Sequence, residues 1–169
     1  GVWRCSCKTI RMPDTSTIRR TMSAITLRFL AEPSTVNFGG KVHGGTVMKW
    51  IDEAGYASAT TWARGPCRAV YMSSIRFLRV VKLGDLVEVR ARLAFTGETH
   101  MNIAVAVHSG DLATRKLEKT AECLAVYVSL DADGQPMRVD SWTPETPGEM
   151  ALASSARAQF DGTRPAPLE

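Results

Sequence analysis

The segment that most constrains this chain is a helix expected over residues 46–62, with apolar positions running nearly all round it. A helix of that kind is buried on most sides instead of lying on a surface. Gly65-Pro66 stops it. Before it, Ile25, Leu27 and Phe29 alternate with Thr26 and Arg28, the period-two pattern of a half-buried strand, and Ala31-Glu32-Pro33-Ser34 ends that strand. After it come three or four long strands. The first is expected over 70–80, with Leu83-Gly84-Asp85 turning out of it. In the second, Val87, Val89, Ala91, Leu93 and Phe95 alternate with Glu88, Arg90, Arg92 and Ala94; in the third, Met101, Ile103, Val105 and Val107 form the apolar series. The last spans 117–130 and is apolar on both faces from Cys123 to Val128, as in a strand that is internal or covered by a partner.

One buried helix followed by consecutive antiparallel strands leaves a single solution: one curved sheet wrapped around the helix. The fold class is α+β, in the hot-dog arrangement. One sheet of this size leaves an open edge and uncovered helix ends, and self-association is the economical remedy.

At 169 residues and 44% hydrophobic content, the chain is long enough for one domain with a real core. Residues 1–21 lack periodicity and are set aside as an N-terminal extension, expected to be flexible. Residues 137–169 read as a peripheral C-terminal tail with one helix over 144–160. No apolar run approaches a membrane span and no signal-peptide core is visible, so the expected location is the cytoplasm. Cys67 and Cys123 sit in apolar stretches and are expected as buried thiols. Cys5 and Cys7 form a C-x-C pair with no second pair or His cluster at zinc spacing, so no metal is expected. The net charge of +4 comes without a basic block interleaved with aromatics, so a nucleic-acid role has little support and no nucleic-acid partner is expected.

Chemistry concentrates in Val36-Asn37-Phe38-Gly39-Gly40-Lys41-Val42-His43-Gly44-Gly45-Thr46, a glycine-rich loop running into the helix. Glycines let a ligand approach the backbone where the first helical N–H groups point outward. That end carries partial positive charge and suits a phosphate, a carboxylate or a developing oxyanion. Asp52 lies about two turns further on, on a face otherwise lined by Val47, Met48, Ile51 and Ala54. A carboxylate among such neighbours is costly unless it is hydrogen-bonded or used.

Asn37, Gly40, Val42-His43-Gly44-Gly45, Met48-Lys49 and Asp52-Glu53-Ala54-Gly55 closely resemble the hot-dog acyl-CoA thioesterases. The likeness is to the cytosolic long-chain acyl-CoA hydrolase branch, including its small bacterial single-domain forms. It extends to Ser74-Ile75-Arg76-Phe77-Leu78, Val81-Lys82-Leu83-Gly84-Asp85, Thr96-Gly97-Glu98-Thr99 and the 131–136 turn, and so covers residues 22–144. The resemblance implies a hot-dog thioesterase domain over 22–136, working as a homodimer or a trimer of dimers on an acyl-CoA substrate. It implies no cofactor, CoA being part of substrate and product. It also implies that Asn37 and Asp52 act together, as a loop Asn and a helix carboxylate contributed by opposite subunits or opposite half-domains do in that family. The departure is at Gly39-Gly40-Lys41, where Lys41 is a candidate for reaching a phosphate.

Thioester hydrolysis needs a positioned water, a base and donors for a tetrahedral oxyanion. Asp52 is the candidate base, with a nucleophilic role through a mixed anhydride left open. Asn37 would orient water or substrate, although by itself it reads as an ordinary turn residue. His43, Gly44, Gly45 and Thr46 are the candidate oxyanion and substrate-binding set, with His43 only lining the pocket. Arg76, Thr96, Gly97 and Thr99 are candidates for the CoA portion, each equally readable as a solvated strand or turn residue. Gly55 is read as close helix packing, and Met48, Trp50 and Trp62 as core or interface. The rivals are a hydratase or dehydratase on the same fold and a non-catalytic acyl-CoA-binding module.

Overall fold

A computed structural model describes residues 22–114 and 116–162. Cys5, Cys7 and the expected N-terminal extension lie outside them. The chain runs through β1 (Ala24–Leu30), a 3-10 turn (Pro33–Thr35), α1 (Gly44–Ala63), β2 (Cys67–Met72), β3 (Arg76–Phe77), β4 (Leu86–Thr96), β5 (His100–Gly110), β6 (Glu118–Ser129) and α2 (Pro147–Gly162). All strands join one antiparallel sheet in the order β1-β4-β5-β6-β2, with β3 also pairing with β6.

The strand periodicity sorts side chains onto two faces. On the inner face, Val87, Val89, Ala91 and Leu93 of β4 join Met101, Ile103, Val105 and Val107 of β5. Ala121, Cys123, Ala125 and Tyr127 of β6 complete one buried cluster with Val47, Trp50, Ile51, Ala54, Ala59 and Trp62 of α1. Phe29 stacks on Trp50 with ring centroids 5.2 Å apart. The helix is thus held in the concavity of the sheet, as its apolar pattern requires.

Its burial is not complete. Met48, Asp52 and Tyr56, one turn apart on one side of α1, are exposed in the single chain. The expected apolar surroundings of Asp52 are therefore only partly present: Val47, Ile51 and Ala54 turn inward and leave Asp52 and Met48 facing out. The helix ends at Arg64, which adopts the left-handed conformation (φ 57°) one residue before Gly65.

The strand expected over 70–80 is broken. Ser73 is buried; its N–H donates to Leu124 O at 2.8 Å and its Oγ accepts from Leu124 N–H at 2.8 Å. A side chain thus takes over one position of the ladder, and pairing resumes only at Arg76. Gly84, at φ +84°, makes the following turn, with Lys82 N–H donating to Asp85 Oδ2.

On the outer face of the sheet, α2 covers Leu124 of β6 together with residues of β4 and β5. Ala94, Phe95, Leu124 and Ala156 form a second buried cluster with Ala104, Leu152 and Phe160. The tail expected to be peripheral is docked: Trp62 Nε1 donates to Asp140 O at 3.0 Å and Trp142 N–H to Thr96 Oγ1 at 3.0 Å. Cys67 and Cys123 are buried free thiols, each pushed up to about 11 by burial.

Candidate active site

The loop before α1 is a tight hairpin. Val36 pairs with Val42, Asn37 N–H donates to Lys41 O at 2.8 Å, and Gly40 takes φ +67° at the turn. The Asn37 Oδ1 accepts from the N–H groups of Gly39 (2.9 Å) and Lys41 (3.3 Å), so this side chain organises its own loop. The loop is tied to the next segment by Val42 N–H to Val81 O (2.9 Å) and Leu83 N–H to Gly40 O (3.1 Å). Asn37 is thereby held in place while remaining exposed.

His43 is the N-cap residue of α1. Its side chain makes no capping bond, but its carbonyl accepts from Thr46 N–H (3.0 Å) and Val47 N–H (3.2 Å). Among the expected oxyanion set, Thr46 N–H is therefore occupied. The N–H groups of Gly44 and Gly45 have no acceptor among the described residues and stand at the positive end of a 20-residue helix. A Cβ at Gly44 would lie 3.8 Å from the Phe77 ring, and one at Gly45 would meet nothing within 4 Å.

Asp52 lies eight residues into α1, roughly 12 Å along its axis from Gly44. Its Oδ1 and backbone carbonyl accept from the Tyr127 hydroxyl at 3.0 and 3.2 Å. Tyr127 is fully buried, and burial together with the Asp52 charge pushes its phenol far above the usual range, so it remains a donor. Gly55 makes room for it: a Cβ there would stand 2.5 Å from the Tyr127 oxygen and 3.0 Å from two ring carbons. Lys49, which could have paired with Asp52, instead pairs with Glu53 at 3.6 Å. No hydrogen bond joins Asn37 to Asp52 within one chain among the described residues.

Sequence reasoning missed Tyr127. Its signal was present in the polar hydroxyl within an otherwise apolar strand, together with a glycine inside a buried helix.

The remaining candidates separate into two places. Arg76 adjoins Phe77, near the start of α1, and pairs with Glu122 at 2.9 Å. Thr96, Gly97 and Thr99 make the β4–β5 turn, where Gly97 N–H donates to His100 O at 2.8 Å and Thr96 Oγ1 is engaged by the tail. Arg76 sits opposite Glu122 and the turn opposite Val128, six residues along β6, roughly 20 Å away. One chain does not bring the two groups together.

A family model described as the thioesterase superfamily matches residues 39–115. An uncharacterized acyl-CoA thioester hydrolase from Buchnera aphidicola is 35% identical over 113 residues, covering 65% of this chain and 84% of that protein. This chain belongs to the thioesterase superfamily, among its hot-dog acyl-CoA thioester hydrolases. A crystal structure of a hexameric acyl-CoA thioesterase without ligand superposes with a TM-score of 0.80 at 29% identity, covering 84% of this chain and 91% of that one. The acyl-CoA hydrolase of Staphylococcus aureus, solved with butyryl coenzyme A and coenzyme A, gives 0.79 at 25% identity, covering 84% and 87%. The expected fold and family are both borne out. The chain spans only 39% of the mouse cytosolic acyl coenzyme A thioester hydrolase, which it matches at 29% identity. No helix among the described residues is long and apolar enough to cross a membrane.

Proposed function

We propose that this protein hydrolyses acyl-CoA thioesters to CoA and a free carboxylic acid at sites shared between two copies of the chain. The observation that carries this is the exposed Asp52 carboxylate, fixed at one oxygen by buried Tyr127 and placed on the same helix as two unengaged N-terminal N–H groups.

Tyr127 occupies Asp52 Oδ1 and leaves Oδ2 without a hydrogen bond among the described residues. Oδ2 takes a proton from water as the water oxygen attacks the thioester carbon. The carbonyl oxygen becomes an oxyanion held by the N–H groups of Gly44 and Gly45 of the second copy, those of the same chain being roughly 12 Å from Asp52. When the tetrahedral species collapses, the C–S bond breaks and the proton held by Asp52 passes to the departing sulfur. Asn37 contributes its amide N–H to orient water or substrate, since its Oδ1 is committed to its own loop. This chemistry uses no metal or redox group. Arg76 is paired with Glu122 on the face of the sheet away from α1, so this reading gives it no contact with CoA.

Within one chain no hydrogen bond joins Asn37 to Asp52 among the described residues, and the face of α1 that carries Met48, Asp52 and Tyr56 is exposed. Exposed Phe38, Met48, Tyr56, Phe77, Leu78 and Val80 form apolar surface of the kind that a partner covers. β2 is an edge strand with one side unpaired. A second copy lying across that edge covers this surface and brings its Asn37 loop to Asp52. The hexameric assembly named for one structural relative fits a trimer of such dimers. The cytoplasm, where CoA esters are made and used, is the proposed location.

The test is thiol release from a ladder of acyl-CoA lengths. Asp52→Asn keeps the shape and removes the base, so turnover should fall by ~10²–10⁴ with little change in melting temperature. Near-normal turnover in a folded variant would remove Asp52 from the mechanism.

A further inference from the structure

The outer face of the sheet, turned away from α1, is built in cross-strand rows. Arg28, Glu88, His108 and Lys119 stand in register across β1, β4, β5 and β6. Thr26, Arg90, Ala106, Glu122 and Arg76 form the next row, and Ala24, Arg92, Ala104 and Leu124 the third. α2 is laid over the third row through Leu152 and Ala156. Between α2 and the first row, the small side chains of Ala104 and Ala106 leave a groove of about 530 Å³ ringed by Arg76, Arg90, Arg92, His108 and Lys119. That volume is within the range of small-molecule sites.

Its charge is unbalanced. Arg28, Arg76, Arg90, Arg92 and Lys119 stand against two carboxylates, Glu88 and Glu122. Glu88, only 3% exposed, accepts from Arg28 at 2.8 Å and from Arg90 at 2.5 Å; Glu122 accepts from Arg76 at 2.9 Å and Lys119 at 2.8 Å. Arg92 has no ion-pair partner among the described residues. The Nδ1 of His108 is buried without a hydrogen bond. Burial first, then Arg90 and Lys119 against the opposing charge of Glu88, hold this imidazole below its usual range. A concave surface carrying one sign of charge focuses that field and raises the local concentration of an opposite ion.

We propose that this groove is a binding site for a small phosphorylated anion, separate from the thioester site on the other side of the sheet. Arg90 and Arg92 project from the same face of β4 about 7 Å apart, a spacing that suits two phosphate groups. Each guanidinium offers a planar fork matched to phosphate oxygens. The alanine floor lets the anion approach the sheet, and α2 closes one side with Ser155 and Gln159.

Inorganic pyrophosphate titrated into the full chain by calorimetry, at fixed ionic strength, tests this. The expected result is one saturable site per chain, weakened about tenfold or more by Arg92→Glu, which loses a charge-assisted contact and gains a repulsive one. Arg92→Glu should leave acyl-CoA turnover without pyrophosphate unchanged. Pyrophosphate should still bind to Asp52→Asn and in the presence of saturating CoA. Should Arg92→Glu fail to fold, Arg92→Gln decides the matter by a smaller loss of affinity. Unchanged affinity in both variants, no saturable binding, or displacement by CoA would each overturn the proposal. So would a change of oligomeric state in Arg92→Glu without any pyrophosphate binding, which would assign the groove to a second copy.

Discussion

The Tyr127 hydroxyl donates to Asp52 Oδ1 at 3.0 Å, from a strand position that has no contact with water to the one exposed carboxylate on the catalytic face of α1. The phenol stays protonated because burial and the neighbouring charge both oppose its ionisation. The bond fixes which Asp52 oxygen is left to accept a proton.

Tyr127→Phe removes this bond and little volume. Losing one hydrogen bond to a charged group corresponds to about tenfold or more in turnover, with KM little changed. Gly55→Ala should act on the same contact from the other side, pushing the ring away and costing about 1–3 kcal/mol of stability. In the double variant the closest clash, with the Tyr127 oxygen, is gone, so the two losses should add to less than their sum. Strict additivity in chemical denaturation would show that the Gly55–Tyr127 approach is not what positions Asp52.

Gly45→Ala separates the need for glycine from the need for its N–H. Its φ is not in the left-handed region, and an added methyl meets nothing within 4 Å of the single chain. Alanine favours helix over glycine by roughly 0.8–1 kcal/mol in a helix interior, so melting temperature should hold or rise. The methyl would occupy the place where the thioester reaches the N–H groups, so turnover should fall. Full activity would show that substrate does not approach there.

Much of this was legible in the sequence because periodicity reports burial. The apolar helix, the alternation in β4 and β5 and the two-sided β6 each follow from which faces must leave water. Gly55 was readable as close packing, but its counterpart Tyr127 was not, since a contact between positions 55 and 127 depends on strand register. The break at Ser73 was hidden because a serine hydroxyl replaces a backbone group, and a serine inside an apolar stretch does not announce that. Asp52 looked half-buried because the helical pattern shows which residues are apolar, not which of them wait for a second chain.

Stability in acid should report the outer-face ion pairs. The Arg28 hydrogen bond, then Arg90, outweighs burial and holds Glu88 below its ordinary value. A carboxyl depressed in the folded state adds stability above its unfolded pKa and loses it as pH falls through its folded pKa. Glu88→Gln should therefore melt lower than the parent at neutral pH, and the gap should close as the pH falls below about 4. Melting curves that stay parallel across that range would show that the Glu88 charge does not contribute.

The central claim is that Asn37 and Asp52 act across a subunit interface, and mixing two inactive proteins tests it most directly. Asn37→Ala and Asp52→Asn are each expected to be inactive or nearly so, because every site in either protein lacks one partner. With equal mixing and free exchange, about half of the dimers are mixed, and each of these has one intact site of two. Thiol release should then recover to about a quarter of the parent rate. If mass spectrometry shows that subunits have exchanged and no activity returns, each chain must carry its own complete site and the shared-site account is wrong.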